Sequence, residues 1–339
     1  MIKLKRALGE LKKAILDDLP FLIVLIVIYL ILTWPVNYYI TVGGGVDNID
    51  SRINVQDSNK IKGSYNISYV TELKGTVTTY LLSYVIKDWE KVNADVYKYD
   101  TSESISDIEF RSDLDLSVAN GTATYWAYTL ANKKFEEIST KIFVTGTFTD
   151  TPNKLKIRDE ILSINGEKFN SVAEYSKYMQ GLDTKDDVIV LVNRNNKEKE
   201  LKCKLYEIEG RKILGVILGV EKKYKTDPKV KIKFKDSESG PSGGLITTLY
   251  MYDALTKKDL TRGRKIAGTG TIEEDGTIGE IGGVKYKLMG AIKDKCDIFI
   301  VPSANYKECK KYIDENKAKI KLIKVDTIED AITKLGELE

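Results

Sequence analysis

The run Ser239-Gly240-Pro241-Ser242-Gly243-Gly244-Leu245 is followed, 45 residues after Ser242, by Lys287, in a sequence that holds no histidine. A hydroxyl nucleophile needs a base to take its proton, and without histidine both the Ser-His-Asp and the Cys-His arrangements are excluded. A lysine base remains open. Pro241 suits the first turn of a helix because its missing N–H would be unpaired there. The composition predicts a helix from Pro241 to about Leu255, with Ser239 placed to cap it. Ser242 would then sit at a helix start, where backbone N–H groups point outward and the dipole favours developing negative charge. Gly240, Gly243 and Gly244 keep side chains away from an approaching carbonyl. The same run also reads as a flexible loop and helix start with no chemistry.

The elements that must position these groups follow from local pattern. Val230 to Phe234 reads as a strand leading into the serine turn, and Ile266 to Ile272 as another. Asp275-Gly276 is a tight turn, and Ile281-Gly282-Gly283-Val284-Lys285-Tyr286-Lys287 opens a further helix. Ser242 in G-P-S-G-G, the Thr269-Gly270 pair, the Asp275-Gly276 turn and the G-G-x-x-x-K run ending on Lys287 together resemble the proteolytic domain of the Lon family of Ser-Lys peptidases, over residues 225–339. The resemblance implies Ser242 as nucleophile, Lys287 as general base and acid, and Thr269 as the hydroxyl that holds the lysine amine. Lys285 lies about 200° around the helix from Lys287, so only one of the two can face the serine. Lys285 and Lys293 read as solvated charges. The sequence departs from the family at Ser239, where many members carry an acidic residue. Ser237 and Ser239 precede the helix and are poor nucleophiles, and Ser303 has no assigned base.

The mechanism that this implies requires a neutral lysine, which burial among apolar neighbours such as Leu288 and Ile292 would favour. Lys287 would take the Ser242 proton, the oxygen would attack a peptide carbonyl, and helix-start N–H groups would hold the oxyanion. Lys287 would then protonate the leaving amine, and water would hydrolyse the acyl-enzyme.

Upstream, Asp159-Glu160-Ile161-Leu162-Ser163-Ile164-Asn165-Gly166 reads as a strand closed by a turn, followed by a helix from Val172 to Gln180 with Ser171 as N-cap and Glu174 completing a capping box. With strands at Ile142 to Val144 and Val188 to Val192, and Ile213 to Val216 to complete it, the segment 139–221 resembles the bacterial PDZ family. Arg158 stands where that family has glycine. Such a domain adds an extended peptide to its sheet edge. A small α/β domain without a ligand is the competing reading.

Before it, Ser64 to Val70 and Thr76 to Leu82 have strand composition, and Asp113 to Ala131 a helical pattern with a break expected at Asn120-Gly121. Residues 42–138 form a membrane-proximal α+β region with no chemistry of their own. Leu19 to Ile40 is free of charge, with Phe21 to Leu32 continuously apolar, and Trp34, Tyr38 and Tyr39 follow where an interfacial belt would lie. A transmembrane helix over residues 19–41 is expected. The basic residues Lys3, Lys5, Arg6, Lys12 and Lys13 put residues 1–18 in the cytoplasm and the rest outside the cell, with Gly43-Gly44-Gly45 as a hinge off the membrane. A cleaved signal peptide and a buried core helix compete with this reading.

Composition excludes other classes. Fifty-three basic against 50 acidic residues leave a net charge of +3, with no basic stripe, so nucleic acid is not expected as a partner. Cys203, Cys296 and Cys309 are odd in number and widely spaced, indicating neither disulfides nor a zinc site. No metal and no cofactor are implied, and no G-x-x-x-x-G-K-[ST] phosphate loop occurs in the sequence. The expected architecture is an α+β multidomain chain: an N-terminal transmembrane helix, a β-rich membrane-proximal region, a PDZ-like domain and a Lon-type α/β proteolytic domain over 225–339. That combination resembles the PDZ-containing, surface-anchored Lon-like proteases of Gram-positive bacteria. It implies an ATP-independent serine endopeptidase, held by a single-pass anchor in the cell membrane, cleaving secreted peptides or membrane-associated and unfolded proteins outside the cytoplasm. Ring formation among Lon-type domains adds homo-oligomerisation as an expectation. The alternative is a membrane-tethered PDZ adaptor with a silent Lon-like domain.

Overall fold

The computed structural model describes residues 18–185, 187–256 and 258–338. In chain order, the first elements are α1 (18–32), β1 (Pro35–Asn48), β2 (Ile53–Val55), β3 (Ser64–Thr76), α2 (Val77–Leu82), β4 (Glu90–Asn93) and α3 (Ile105–Leu130). Next come β5 (Lys134–Thr147), β6 (Glu160–Ile164), α4 (Val172–Gln180), β7 (Val188–Arg194), β8 (Lys197–Cys203), β9 (Tyr206–Ile208), β10 (Arg211–Ile213), β11 (Val216–Asp227) and β12 (Val230–Ile232). The chain closes with α5 (Gly244–Leu255), β13 (Lys265–Gly268), α6 (Val284–Lys293), β14 (Ile298–Pro302), α7 (Ser303–Asn316), β15 (Lys321–Val325) and α8 (Ile328–Gly336). Two compact units result: one holds the chain up to Gly43 together with Thr71–Val96, the other Gly44–Val70 together with Tyr97–Glu339.

In the first unit the expectation of a transmembrane helix over 19–41 is overturned. No helix among the described residues is long and apolar enough to cross a membrane. The apolar run does not continue as helix because Pro35 cannot extend one and pushes Trp34 out of helical conformation. From Pro35 the chain is strand, pairing antiparallel with β4 from Tyr38↔Asn93 to Thr41↔Glu90, with Ile40 fully buried. A single-pass anchor, and the topology built on it, are therefore not supported. The basic flank up to residue 17 lies outside the described residues. Thr76 to Leu82, expected as a strand, is instead mostly α2. Thr76 and Thr79 form a reciprocal capping box there, and this local hydrogen bonding outweighs the β-branched composition.

The second unit contains a parallel sheet in the order β15-β14-β13-β3. Strand alternation divides its side chains between two cores. Ile266 and Ile300 enter a core with α5 and α8 residues such as Leu249 and Leu335. Ala267, Phe299 and Val301 enter another with Val284, Leu288 and Ala291 of α6 and Cys309 of α7. Helices therefore cover both faces, as a parallel sheet requires. α5 is buried along its whole length, which accounts for its lack of a polar face.

A second sheet, β11-β5-β6-β7-β8, packs with α4 around Val144, Ile164, Met179 and Val190. α3 is continuous through the break expected at Asn120-Gly121. Gly121 serves close approach instead: a Cβ there would lie 2.6 Å from the Lys222 carbonyl oxygen of β11. Gly44 and Gly45, expected as a hinge, likewise lie in strand β1, against α6. A Cβ on Gly290 would come within 2.6 Å of the Gly45 nitrogen, and one on Gly44 within 2.1 Å of the Tyr286 oxygen.

Candidate active site

Ser242 stands just before α5, whose N-cap is Gly243 with no side-chain cap. The expected capping role of Ser239 is not made, and the helix begins three residues later than Pro241. Backbone bonds hold the serine turn in place of a cap. The Gly240 amide donates to the Ser112 carbonyl of α3 at 2.9 Å, with Gly240 at φ 84°, a left-handed conformation that favours glycine. The Ser242 carbonyl accepts from the Gly270 amide at 2.8 Å and from the Thr269 hydroxyl at 3.1 Å. The Leu245 amide returns a bond to the Gly270 carbonyl at 3.1 Å. The turn is thus zipped to the residues that follow β13.

Lys287 arrives from the other face of the sheet. Gly283, at φ 65°, caps α6, and the Lys287 amide bonds its carbonyl at 3.2 Å, one turn into the helix. Val284, Leu288 and Ala291 anchor α6 in the apolar core. That rotation buries Lys287 to 4% exposure and aims its amine at the serine turn. Its Nζ donates to Ser242 Oγ at 2.9 Å and to Thr269 Oγ1 at 3.3 Å. Thr269 is fully buried, so its hydroxyl is fixed between the lysine amine and the Ser242 carbonyl. The structure therefore brings the three sequence-selected residues together. Lys285 is half-buried with its amine over the Tyr286 ring at 5.3 Å, and Lys293 is exposed. Ser237 and Ser239 are exposed. The acidic residue near the turn is Glu238, whose carboxylate forms an ion pair with Arg52 at 2.5 Å. This pairing pulls its pKa below the ordinary value against the opposing effect of burial. The three cysteines are free and buried, and burial pushes Cys296 up to about 11 and Cys309 up to about 12.

Sequence reasoning read Ser64 to Val70 as a strand, now β3, but did not place it beside β13. Its residues Ser64 to Ile67 pair in parallel with β13, from Ser64↔Lys265 to Ile67↔Gly268, next to Thr269. The available signal was strand composition at Ser64 to Val70, which carried no clue to its partner. Ile213 to Val216, expected to complete the PDZ-like segment, instead holds the Leu214-Gly215 junction between β10 and β11. Gly215 has φ 66°, and a Cβ there would lie 2.3 Å from Thr151 Oγ1. The Thr151 hydroxyl is itself buried without a hydrogen-bond partner. The loop opens β11, the end strand of its sheet, whose outer edge pairs with no strand among the described residues. Arg158, the departure from glycine, sits at φ 79°. Its guanidinium offsets that strain by donating to the Ser106 carbonyl and hydroxyl, both at 2.6 Å, and by lying 5.5 Å from the Phe110 ring centroid.

Comparison with known proteins gives two family matches: the Lon protease (S16) C-terminal proteolytic domain over residues 218–336, and the PDZ domain over residues 133–205. A Fusobacterium nucleatum protein provisionally named a zinc metalloprotease is 35% identical over 91 residues, covering 26% of this chain and 26% of that protein. Lon protease of Mesomycoplasma hyopneumoniae is 38% identical over 90 residues, 26% of this chain and 10% of that protein. Lon protease of Neorickettsia sennetsu is 29% identical over 97 residues, 29% of this chain and 12% of that protein. The chain therefore spans about a quarter of the first relative and about a tenth of the Lon proteases. Among solved structures, the PDZ domain of an SdrC-like protein from Listeria monocytogenes matches at 24% identity and a TM-score of 0.22, covering 23% of this chain and 85% of that one. Residues 218–336 are thus a Lon protease (S16) C-terminal proteolytic domain, the catalytic part of a serine peptidase family, joined in this chain to a PDZ domain over residues 133–205.

Proposed function

We propose that this chain is an ATP-independent serine endopeptidase in which Ser242 and Lys287 form the catalytic dyad and Thr269 orients the lysine. The observation that carries the proposal is the 2.9 Å contact between Lys287 Nζ and Ser242 Oγ at a buried lysine. Withdrawal from water disfavours a charged amine, and a neutral amine is what base function requires. Neutral Lys287 accepts the Ser242 proton as Oγ bonds to the substrate carbonyl carbon, and the negative charge moves to the carbonyl oxygen. In this reading the oxyanion is held by backbone amides at the start of α5, beside Ser242 and Gly243. Collapse breaks the C–N bond, and the Lys287 ammonium gives its proton to the leaving amine. A water, deprotonated by the same lysine, releases the acid product and restores Ser242.

The PDZ domain supports a substrate class of extended peptides or unfolded protein segments. A peptide adds as a strand to the outer edge of β11, with its terminal carboxylate at the Gly215 loop. ATP independence rests on the absence of a phosphate loop from this sequence. The test is cleavage of an unfolded protein by the full chain without ATP. Ser242→Ala and Lys287→Ala are expected to reduce turnover by about 10³-fold or more, and Lys285→Ala to leave it within twofold. Equal products from every variant would refute the dyad. Peptide binding with no cleavage would favour the PDZ adaptor.

A further inference from the structure

We propose that Ser68 is a positioning residue for the Lys287 amine, accepting a hydrogen bond from it when Lys287 becomes an ammonium ion. The proposal rests on the Ser242–Lys287 reading above. Ser68 lies on β3, is 1% exposed, and its Oγ has no hydrogen-bond partner. A buried hydroxyl without a partner costs free energy, so its retention at this position needs a reason.

Strand alternation fixes where that hydroxyl points. In the parallel ladder, Ile266 pairs with Tyr65 and Gly268 with Ile67. Tyr65, Ile67 and Ile266 pack in the α5 core, and a Cβ on Gly268 would meet Ile246 of α5. The intervening pair, Ala267 with Asn66, belongs to the opposite face, where Ala267 joins the α6 core. With a side-chain period of two, the next pair in that register, Ser68 of β3 and Thr269 just past the end of β13, points to the α6 face, at the ~4.8 Å spacing of neighbouring strands. Val70, two residues further along that face, provides an independent check. Its Cγ1 would lie 3.0 Å from a Cβ on Gly283, the cap of α6. Lys287 is one helical turn beyond Gly283 and reaches Thr269 at 3.3 Å. Ser68 therefore faces the turn of α6 that carries the lysine, on the far side of Thr269.

The chemistry gives that hydroxyl a moment of use. A neutral amine has two N–H donors, and taking the Ser242 proton gives it a third. The ammonium forms in a buried site, where each acceptor counts for more than in water. Ser68 Oγ supplies a lone pair as the proton arrives and leaves the amine free to return that proton to the leaving group. Thr269 already accepts one N–H of the amine at 3.3 Å, so the third N–H calls for another acceptor.

The experiment measures kcat and KM against pH for the full chain and for Ser68→Ala and Ser68→Thr, with unfolding midpoints alongside. Ser68→Ala removes an unpartnered hydroxyl and so should fold at least as stably as the native chain. Its kcat should fall about 10- to 100-fold with KM within twofold. The acid limb of its rate profile should move to lower pH, because the ammonium has lost an acceptor. Ser68→Thr, which keeps the hydroxyl, should recover most of the rate. Native kcat in Ser68→Ala, an unmoved acid limb, or equal impairment of the alanine and threonine variants would overturn the assignment. Loss of only this proposal is recognised by native turnover that still needs Lys287. If native turnover is indifferent to Lys287→Ala, the dyad itself is wrong and Ser68 falls with it.

Discussion

At the residue scale, the chemistry of this chain is written in a few side chains whose burial sets their protonation. Asp253 on α5 is fully buried, and burial pushes its carboxyl up to about 7 despite hydrogen bonds from the Tyr65 hydroxyl at 2.8 Å and the Leu260 amide at 2.9 Å. Below about pH 4 both the folded and the unfolded chain hold this proton. Between about 4 and about 7 the unfolded chain has released it while the folded chain retains it, so stability falls as pH rises through that window and is level above it. A shift of about three pKa units corresponds to about 4 kcal/mol. Urea unfolding at pH 5 and pH 8 spans about two of those units and should show a loss of about 3 kcal/mol in the native chain and a much smaller one in Asp253→Asn. An equal loss in both would contradict the assignment. That Ser242, Thr269 and Lys287 lie together was anticipated through the resemblance of their glycine-marked motifs to the Lon proteolytic domain. Ser68 was not, because only the register of β3 against β13 places it beside Thr269.

At the element scale, backbone approach decides more than local propensity. The glycines at 44, 45 and 290 let β1 lie directly on α6, the helix that carries Lys287. Gly290→Ala puts a Cβ 2.6 Å from the Gly45 nitrogen, which backbone movement alone can relieve. It should cost about 1–3 kcal/mol and lower turnover by displacing α6. Gly282→Ala, which meets nothing within 4 Å, is the stability control. Denaturant midpoints compare the two, and equal midpoints would mean that β1 does not set the position of α6. The same physics explains what sequence pattern misread. Gly121 looked like a helix break and is a contact point for β11, and Gly43 to Gly45 looked like a hinge and lie in a strand. The apolar run from Leu19 looked like one span because hydropathy does not register that Pro35 ends the helix and begins β1. Strand composition at Thr76 to Leu82 gave way to a capping box. Segments with a period matched to one structure, such as Val172 to Gln180 and Val188 to Val192, were read correctly.

At the scale of the whole molecule, α3 joins the two family domains inside one compact unit. It packs on β11 and β5, bonds Glu221 through Ser117, and accepts the Gly240 amide at Ser112 two residues before the nucleophile. The serine turn is therefore held by an element that neither family match includes, which is why motif spacing could find the residues but not their support. The central claim is that Lys287 activates Ser242. It is tested most directly by labelling the full chain with a serine-reactive phosphonofluoridate, following the rate and locating the adduct by mass spectrometry. The account predicts one adduct per chain, on Ser242, formed about 100-fold or more slowly in Lys287→Ala and at the native rate in Lys285→Ala. Labelling on another serine, or on Ser242 at an undiminished rate without Lys287, would contradict it.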